Sequence, residues 1–420
     1  MIYQIPYGKG LLHFELEVPV AELAVKSLAQ VLDEREEVRK AIRSPIGSEP
    51  LVDLAAGKKN AVIVINDITR PTPTKLLVEE ITKELNEGGI PDTSITLLVA
   101  TGNHRPNTNE ELQEMVGYEN FQRFLIVNHN ASDPSQLVYL GQTRRGLDIE
   151  VNRLVVEADL TIITGIITPH QTAGFSGGRK SIVPGVAGVT SLLQHHSFPI
   201  RSEEPVMGIT ENNRFHEEAV EAARTVGVDF IVNVVKNHRG EIVAAVAGDL
   251  EEAHEAGVTI CRQAWELEVP HLYDITIVSP GGYPKDFDMH QSQKALASAE
   301  IITKPGGSII LVAECPDGIG SFGKLLIESR DPQEVIDRFK QSGFDNHNHS
   351  SKAYMYARAL LKHNVYFISH HLDPSQLKTM FFYPSKSIEQ AFQSAKMKCS
   401  APPTVAVLPY AVDCLLKVRQ

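Results

Sequence analysis

The chain is organised around the segment Leu160-Thr-Ile-Ile-Thr-Gly-Ile-Ile167, followed by Pro169-His-Gln-Thr-Ala-Gly-Phe-Ser-Gly-Gly-Arg-Lys180. The first part is an apolar run rich in β-branched residues, which is typical of a buried strand. The second part has the glycines and polar side chains of a loop at the end of that strand. Backbone N–H groups freed by glycine can bind an anion, and a neighbouring lysine can meet a phosphate or attack an acyl group. The segment therefore predicts a ligand site at a strand end.

The same succession of strand and polar loop occurs twice before this segment. Ala61-Val-Ile-Val-Ile65 leads into a loop with Asp67 and Arg70, and Ile95-Thr-Leu-Leu-Val-Ala100 leads into a loop with His104. Parallel strands end at one edge of an open α/β sheet, where ligands bind. We therefore expect these side chains to share one cleft with the first loop.

Apolar runs alternate with helical patterns along the rest of the chain, and this alternation favours two α/β domains with largely parallel sheets. The further strands are predicted at 230–235, 274–279, 308–313, 365–369 and 404–408. Local patterns also predict a hairpin turn at 8–10, a helix from 20 to about 42, a capping box at 108–111 and a helix from 249 to near 269. We place the domain boundary near residue 270, giving domains 1–270 and 271–420 with the active site in the cleft between them.

Composition excludes several classes of partner. A chain of 420 residues is too long for one ordinary core, so two domains are the default expectation. Acidic residues outnumber basic ones by 52 to 40, and the net charge of -12 disfavours nucleic acid and anionic membranes as partners. The N-terminus lacks a basic segment followed by an apolar one, and no apolar run approaches the roughly 20 residues of a membrane span. These features predict a cytoplasmic protein.

The glycine-rich loop invites comparison with the phosphate loop of nucleotide hydrolases. Counting G-x-x-x-x-G-K-[ST] back from Lys180 places Gly174 correctly but puts Arg179 where the second glycine belongs. A nucleotide- or phosphate-binding protein of kinase or ATPase type, using loop 174–181, is therefore the alternative interpretation. It predicts ATP binding and dependence on Mg²⁺.

Several motifs occur in a fixed order along most of the chain. They are Asp67-Ile-Thr-Arg-Pro71, Thr101-Gly-Asn-His-Arg-Pro106, the segment 169–180, His196 and Gln291-Ser-Gln-Lys294. Together they resemble the nickel-dependent lactate racemase family. The resemblance implies an isomerase that racemises or epimerises a 2-hydroxy acid. In that family a hydride passes reversibly to a nickel-pincer nucleotide, through a 2-keto acid intermediate, with two histidines as acid and base.

The resemblance also implies roles for individual residues. Lys180 matches the lysine that is covalently attached to the cofactor, pyridinium-3-thioamide-5-thiocarboxylic acid mononucleotide, and His196 matches the histidine that binds its nickel. His104 and His170 match the two catalytic histidines. Because separate enzymes make this cofactor, the implied partners include accessory proteins for cofactor biosynthesis and nickel insertion.

The remaining implied contacts concern the substrate. Arg70, Gln291 and Lys294 match groups near the substrate carboxylate and the cofactor, and Asp67 lies in the same cofactor-proximal motif. His290 stands where lactate racemase has a tyrosine. A smaller, hydrogen-bonding group there suggests a larger or more polar substrate than lactate, such as a hydroxy diacid or a sugar acid.

Three assignments have alternatives that the sequence leaves open. His195 and His196 are adjacent and project about 100° apart on a helix, so only one of them should face the cleft. Lys180 could merely neutralise a phosphate. Arg70 could form an ion pair with Asp67 that holds the loop.

Overall fold

Two six-stranded sheets flanked by helices form the α/β fold of this protein. The computed structural model describes residues 1–24, 28–201, 203–345 and 350–419. Neighbouring strands in these sheets are parallel with one exception, so the predicted fold class is confirmed. No helix within the described ranges is long and apolar enough to cross a membrane.

The strands and helices up to residue 269 alternate in the way that the apolar runs predicted. The strands are β1 (Ile2–Tyr7), β2 (Gly10–Glu15), β3 (Val20–Glu22), β4 (Ala61–Asn66), β5 (Ile95–Ala100), β6 (Leu125–Asn128), β7 (Leu137–Gln142), β8 (Asp148–Asn152), β9 (Thr161–Ile167), β10 (Pro169–His170), β11 (Gly174–Phe175), β12 (Phe230–Lys236), β13 (Ile242–Gly248) and β14 (Glu266–Val269). The α-helices are α1 (Glu34–Arg43), α2 (Leu51–Ala55), α3 (Thr74–Glu87), α4 (Asn109–Val116), α5 (Tyr118–Arg123), α6 (Arg153–Glu157), α7 (Val189–His195), α8 (Arg214–Val226) and α9 (Glu252–Trp265).

The alternation continues in the rest of the chain. The strands are β15 (Tyr273–Val278), β16 (Thr303–Val312), β17 (Asn364–Ile368), β18 (Tyr383–Pro384), β19 (Val405–Leu408) and β20 (Leu415–Val418). The helices are α10 (Met289–Ile302), α11 (Gly323–Ile327), α12 (Pro332–Gln341), α13 (Ser350–Lys362), α14 (Pro374–Thr379) and α15 (Ile388–Lys396).

The first sheet has the strand order β13-β12-β9-β4-β5-β6. Only β13 runs antiparallel to its neighbour, at the edge of the sheet. Strands β9 and β4 are buried and rich in β-branched residues, as expected for strands covered on both faces. From β4 the chain moves outward through β5 and β6, whereas from β9 it moves the other way through β12. The order therefore reverses between β4 and β9, and ligands bind at such a switch point, outside the carboxyl ends of the strands.

The second sheet has the strand order β18-β17-β16-β15-β19-β3 and includes a strand from the start of the chain. Val20 and Ala21 of β3 pair with Val405 and Ala406 of β19. The hairpin β1–β2 covers one face of the same sheet, where it buries Tyr3, Ile5 and Phe14 among the side chains of β15, β16 and β19. The predicted domain 1–270 thus included about 22 residues that the structure packs with the second sheet. The division of the remaining chain near residue 270 stays a prediction.

Two predicted helices are shorter than their sequence patterns indicated. The helix predicted from 20 to 42 is replaced at its start by strand β3, and α1 begins only after its N-cap Asp33. Residues 25–27 lie outside the described part of the chain. The helix predicted to end near 269 ends at Trp265, because Glu266–Val269 pairs with β20 as a parallel strand. In both places long-range strand pairing overrides the local helical spacing. The hairpin turn at 8–10 and the capping box of Thr108 and Glu111 are confirmed.

Candidate active site

The polar loops predicted to converge do so at the switch point of the first sheet. Asp67 and Arg70 follow β4, His104 follows the adjacent β5, and His170 and Lys180 follow β9 on the other side of β4. Because all three strands are parallel and adjacent, their following loops share one edge of the sheet. The second half of the chain contributes residues 290–294 through α10.

Asp67 and His104 form a hydrogen-bonded pair. Oδ2 of Asp67 lies 2.5 Å from Nδ1 of His104, and Oδ1 accepts a hydrogen bond from the Thr69 hydroxyl at 2.7 Å. Burial by itself raises the pKa of Asp67, but the hydrogen bonds from His104 and Thr69 outweigh it, and the pKa is lowered overall. The carboxylate therefore accepts the Nδ1 proton of His104, which leaves the Nε2 lone pair of this half-exposed ring available as a base.

Arg70 is exposed at the mouth of this loop. Among the described residues it forms no ion pair with Asp67, whose carboxylate is taken by His104 and Thr69. Its positive charge lowers the pKa of Asp67, His170 and Lys180 alike. These contacts speak against the loop-fixing alternative for Arg70.

The His170 ring is oriented by its own loop. Its Nδ1 accepts the backbone N–H groups of Thr172 and Ala173 at 3.2 and 3.1 Å, so the proton of the neutral ring sits on Nε2. Nε2 lies 3.5 Å from Nζ of Lys180. Burial lowers the pKa of His170 well below its ordinary value, and the charges of Lys180, Arg70 and Lys294 add to this effect. The ring is therefore neutral and presents an N–H group to the cleft.

Lys180 lies in a short 3₁₀ turn, Gly178–Ser181. Burial lowers the pKa of Lys180 well below its ordinary value, and the charges of Arg179 and Arg70 lower it further. A neutral amine can accept the hydrogen bond that Nε2 of His170 offers, whereas an ammonium group cannot. The contact between the two side chains thus fits a free amine, which is the nucleophilic form of lysine.

Arg179 is a structural residue of this loop whose role the sequence did not reveal. Its guanidinium is 1% exposed and donates to the backbone carbonyls of Ala173 and Phe175 at 2.9 and 2.8 Å, and to that of Gly177 at 3.1 Å. The loop is thereby wound around the arginine side chain. Its only sequence signal was negative, namely the mismatch to the phosphate-loop pattern.

The backbone of the loop does not offer a phosphate nest. Within loop 174–181, the N–H groups of Ser176, Gly178 and Lys180 donate to the carbonyl of Thr168, Oδ1 of Asn233 and the carbonyl of Gly177 at 2.9, 3.1 and 3.3 Å. Gly177 has φ +79°, and a Cβ there would lie 2.5 Å from the same Asn233 oxygen, so only glycine fits. Since these N–H groups already have partners, the geometry argues against the kinase or ATPase interpretation.

His195 and His196 end helix α7 and have different surroundings. His195 is fully buried, and its Nε2 donates to the backbone carbonyl of Phe215 at 2.8 Å. His196 is partly buried, and its Nδ1 donates to the carbonyl of Leu192 at 2.9 Å. That bond keeps Nε2 of His196 unprotonated, the arrangement in which a histidine binds a metal. Burial lowers the pKa of His196 to about 3, so the ring is neutral.

Helix α10 presents the substrate-binding candidates of the second half. Nζ of Lys294 donates to Oε1 of Gln291 at 2.6 Å, which confirms that the two side chains share a face. Burial and the charge of Arg70 lower the pKa of Lys294 to about 8. The charge of Lys294 in turn acts on His170, so the helix faces the loops of the first sheet. The ring of His290, next along the helix, lies 6.4 Å from that of Phe322.

Two buried cations near the site were missed in the sequence. Arg201 donates to the hydroxyl of Thr172 at 3.2 Å, and Lys352 donates to Oε1 of Gln293 at 3.1 Å. Both charges lower the pKa of His196, which places them beside it. A lysine or arginine in a polar segment is normally exposed, and only the packing of α13 against α10 buries Lys352.

Comparison with known proteins gives a consistent result. The family model described as lactate racemase N-terminal domain matches residues 7–208, and that described as lactate racemase C-terminal domain matches residues 270–416. Lactate racemase of Thermoanaerobacterium thermosaccharolyticum is 35% identical, with 99% of each chain covered. Lactate racemase of Lactiplantibacillus plantarum is 37% identical, with 92% of each chain covered.

Solved structures agree with these matches. The lactate racemase apoprotein from T. thermosaccharolyticum superposes with a TM-score of 0.89 at 33% identity, covering 99% of this chain and 100% of that one. A protein from Thermotoga maritima superposes with a TM-score of 0.64 at 16% identity, covering 92% of this chain and 98% of that one, and it shares the fold.

Proposed function

The chain belongs to the lactate racemase family, and we propose that it inverts the hydroxyl-bearing carbon of a 2-hydroxy acid with the help of a nickel-pincer nucleotide. Membership of the family makes it an isomerase. The curated relatives carry the name lactate racemase, so lactate is the reference substrate of the proposal. The observation that supports it most is the amine of Lys180, held 3.5 Å from Nε2 of His170 at the switch point of the sheet.

The residues around Lys180 and His196 fit the proposed cofactor. A neutral, buried amine is suited to a covalent bond with an acyl group, and the free Nε2 of His196 is suited to a metal. His196 would hold the nickel of the cofactor through Nε2, since imidazole nitrogen is a suitable donor for nickel. When bound, the cofactor supplies an electrophile that accepts a hydride. The proposed partners are the proteins that synthesise it and insert the nickel.

The pair of Asp67 and His104 acts as the base in this proposal. The carboxylate holds the Nδ1 proton of His104, so Nε2 can take the hydroxyl proton of the substrate as its C2–H bond breaks. Asp67 then stabilises the imidazolium that forms. The 2-keto acid that results is planar at C2, and a return of hydride to its other face inverts the configuration.

His170 serves the opposite face. Its neutral ring donates a hydrogen bond from Nε2, which suits the oxygen of a 2-keto acid. A complete proton transfer from Nε2 requires a second proton on Nδ1 and hence the loss of a bond from Thr172 or Ala173. The two histidines therefore begin the reaction in different states, with His104 as a base and His170 as a hydrogen-bond donor.

The substrate carboxylate is bound by the charged groups that face the two histidines. Lys294 and Gln291 form one hydrogen-bonded unit on α10, and Arg70 lies across the cleft from it. Arginine offers a directional, bidentate contact to a carboxylate, and a buried lysine offers a strong single charge. Together they fix the substrate so that its C2 atom lies between the histidines.

The substrate differs from lactate in the region of His290, which replaces the tyrosine of lactate racemase. We propose a hydroxy diacid or a sugar acid, and inversion of the latter is an epimerisation. Assays of nickel-loaded enzyme with lactate, malate and aldonates test this choice. A strong preference for lactate would contradict it.

Deuterium at C2 tests the hydride mechanism. If hydride leaves and returns without mixing with solvent, a C2-deuterated 2-hydroxy acid retains its label through inversion. A mechanism that removes C2 hydrogen as a proton releases the label into water. Mass spectrometry of the isolated enantiomers in ordinary water separates these outcomes, and loss of label before inversion would overturn the proposal.

A further inference from the structure

Lys352 is a buried lysine for which the described part of the chain offers no ion-pair partner. Its side chain lies at the start of α13 and is 7% exposed, and its Nζ donates to Oε1 of Gln293 at 3.1 Å. Among the described residues no carboxylate lies within ion-pair distance of it. The same pair of helices does supply a counterion elsewhere, because Arg358 of α13 binds Glu300 of α10 with bonds of 3.0 and 2.8 Å. Burial and the charges of Lys294 and Arg201 lower the pKa of Lys352 well below its ordinary value, and an anion bound beside Nζ would favour the charged form.

Gln293 adds a second unused donor at the same place. It is fully buried on α10, and its Nε2 has no hydrogen-bond partner. Oε1 of Gln293 accepts the hydrogen bond from Nζ of Lys352. If the amide were flipped, its NH2 group would face Nζ, and two donors would oppose each other. Lys352 and Gln293 therefore present adjacent, buried N–H groups and lack an acceptor.

These donors lie beside the reaction site. Arg201 donates to the hydroxyl of Thr172 in the His170 loop and also contacts Met355, which lies one helical turn from Lys352 on α13. Gln293 directly precedes Lys294 on α10, whose side chain binds Gln291. The bond between Lys352 and Gln293 thus joins the helix that carries Lys294 to the helix that Arg201 links to the His170 loop.

We propose that Lys352 and Gln293 bind a second carboxylate of the substrate, so that the enzyme is selective for hydroxy diacids. This inference rests on the proposed racemase function. The first carboxylate lies at Lys294 and Gln291, and the distal one supplies the counterion that Lys352 lacks. Lactate leaves Lys352 unpaired, and the hydroxyl groups of a sugar acid carry no charge to neutralise it. A site built around such donors discriminates against an analogue that lacks the matching group.

The experiment compares malate with lactate on nickel-loaded enzyme, by racemisation kinetics and by calorimetric binding. In Lys352→Met the ratio of kcat/KM for malate to that for lactate should fall about thirtyfold, and malate affinity should fall in parallel. Lys362→Met is the matched control on the same helix, since Lys362 is exposed and pairs with Glu204. That variant should keep the ratio of the unchanged enzyme.

Gln293→Glu provides an independent variant that keeps the side-chain shape. It places a carboxylate beside Lys352, so the protein should unfold at a higher temperature while malate affinity falls. Unaltered malate selectivity in both variants would overturn the inference, as would a preference of the unchanged enzyme for aldonates. If Lys352→Met no longer carried the cofactor mass on Lys180, the inference would also be wrong. That result would mean that Lys352 and Gln293 bind the phosphate of the nucleotide. Failure of the racemase function looks different: no 2-hydroxy acid is inverted, although malate binding still depends on Lys352.

Discussion

The state of each titratable side chain follows from its immediate partners. Asp67 is the clearest case, because its carboxylate is both buried and engaged by Nδ1 of His104. Asp67→Asn removes the negative charge that stabilises the imidazolium of His104, and the new amide N–H can donate to Nδ1 and so favour the tautomer with its proton on Nε2. We expect kcat for 2-hydroxy acid inversion to fall about a hundredfold or more. The measurement is steady-state kinetics on enzyme whose cofactor content on Lys180 matches that of the unchanged protein. A kcat within about twofold of the original would show that the pair is not the base.

Lys294 makes the reaction sensitive to pH. Burial and the charge of Arg70 lower its pKa to about 8, so the side chain is charged below that pH and neutral above it. Since the charged form binds the substrate carboxylate, kcat/KM should decrease as the pH rises through about 8. In Lys294→Arg the charge persists to higher pH, and this decrease should disappear. The same decrease in both proteins would mean that another group titrates.

Sequence patterns predicted which loops lie at the strand ends. They did not predict which side chains of those loops form hydrogen bonds with each other. The loops with Asp67, His104, His170 and Lys180 were recognisable because they follow apolar strands. The hydrogen bond between Asp67 and His104 joins loops 37 residues apart, and no local pattern encodes it. The burial of Lys352 was equally hidden, because it depends on the packing of two distant helices.

At the level of elements, the loop between β9 and α7 depends on the buried side chain of Arg179. In Arg179→Met the carbonyls of Ala173, Phe175 and Gly177 lose their donor in a buried place. We expect the free energy of unfolding to fall by about 3 kcal/mol and cofactor attachment at Lys180 to decrease. Denaturant unfolding and intact mass measure the two effects.

A matched control for this variant is available on α6. Arg153 pairs with Glu157 at 3.2 Å in an exposed position, so Arg153→Met should change stability by less than about 0.5 kcal/mol. Equal effects of the two substitutions would contradict the role assigned to Arg179.

The central parallel strands were predictable from their apolar runs, whereas the β7–β8 hairpin was missed, because its strands are only partly buried and mix polar with apolar residues.

At the scale of the whole molecule, the N-terminal hairpin belongs with the second sheet. Ile5 of β1 is fully buried against that sheet, whereas Ile2 of the same strand is 75% exposed. Ile5→Ala should lower the free energy of unfolding by about 3 kcal/mol, and Ile2→Ala by less than about 0.5 kcal/mol. Hydrogen exchange should accelerate in β15 and β19 for the first variant only. Acceleration confined to the first sheet would contradict this packing.

The division of the chain near residue 270 stays a prediction, and the pairing of β3 shows what a division by sequence position leaves out. The boundary near residue 270 was placed from the start of a new series of strands. The pairing of β3 with β19 places β3 at the edge of the second sheet and joins residues some 385 positions apart, and nothing in the composition of residues 20–22 marks that pairing. Both halves are needed for function in the proposal, because the histidines come from the first sheet and Lys294 comes from α10.

The central claim is that Lys180 carries a nickel-pincer nucleotide. Intact mass spectrometry tests it most directly, on protein purified from cells with and without the enzymes that synthesise the cofactor and insert nickel. The account predicts an added mass of the size of the cofactor only when those enzymes are present, located on Lys180 by peptide mapping and absent from Lys180→Ala. Inversion of a 2-hydroxy acid by protein that lacks this mass, or by Lys180→Ala, would contradict the account.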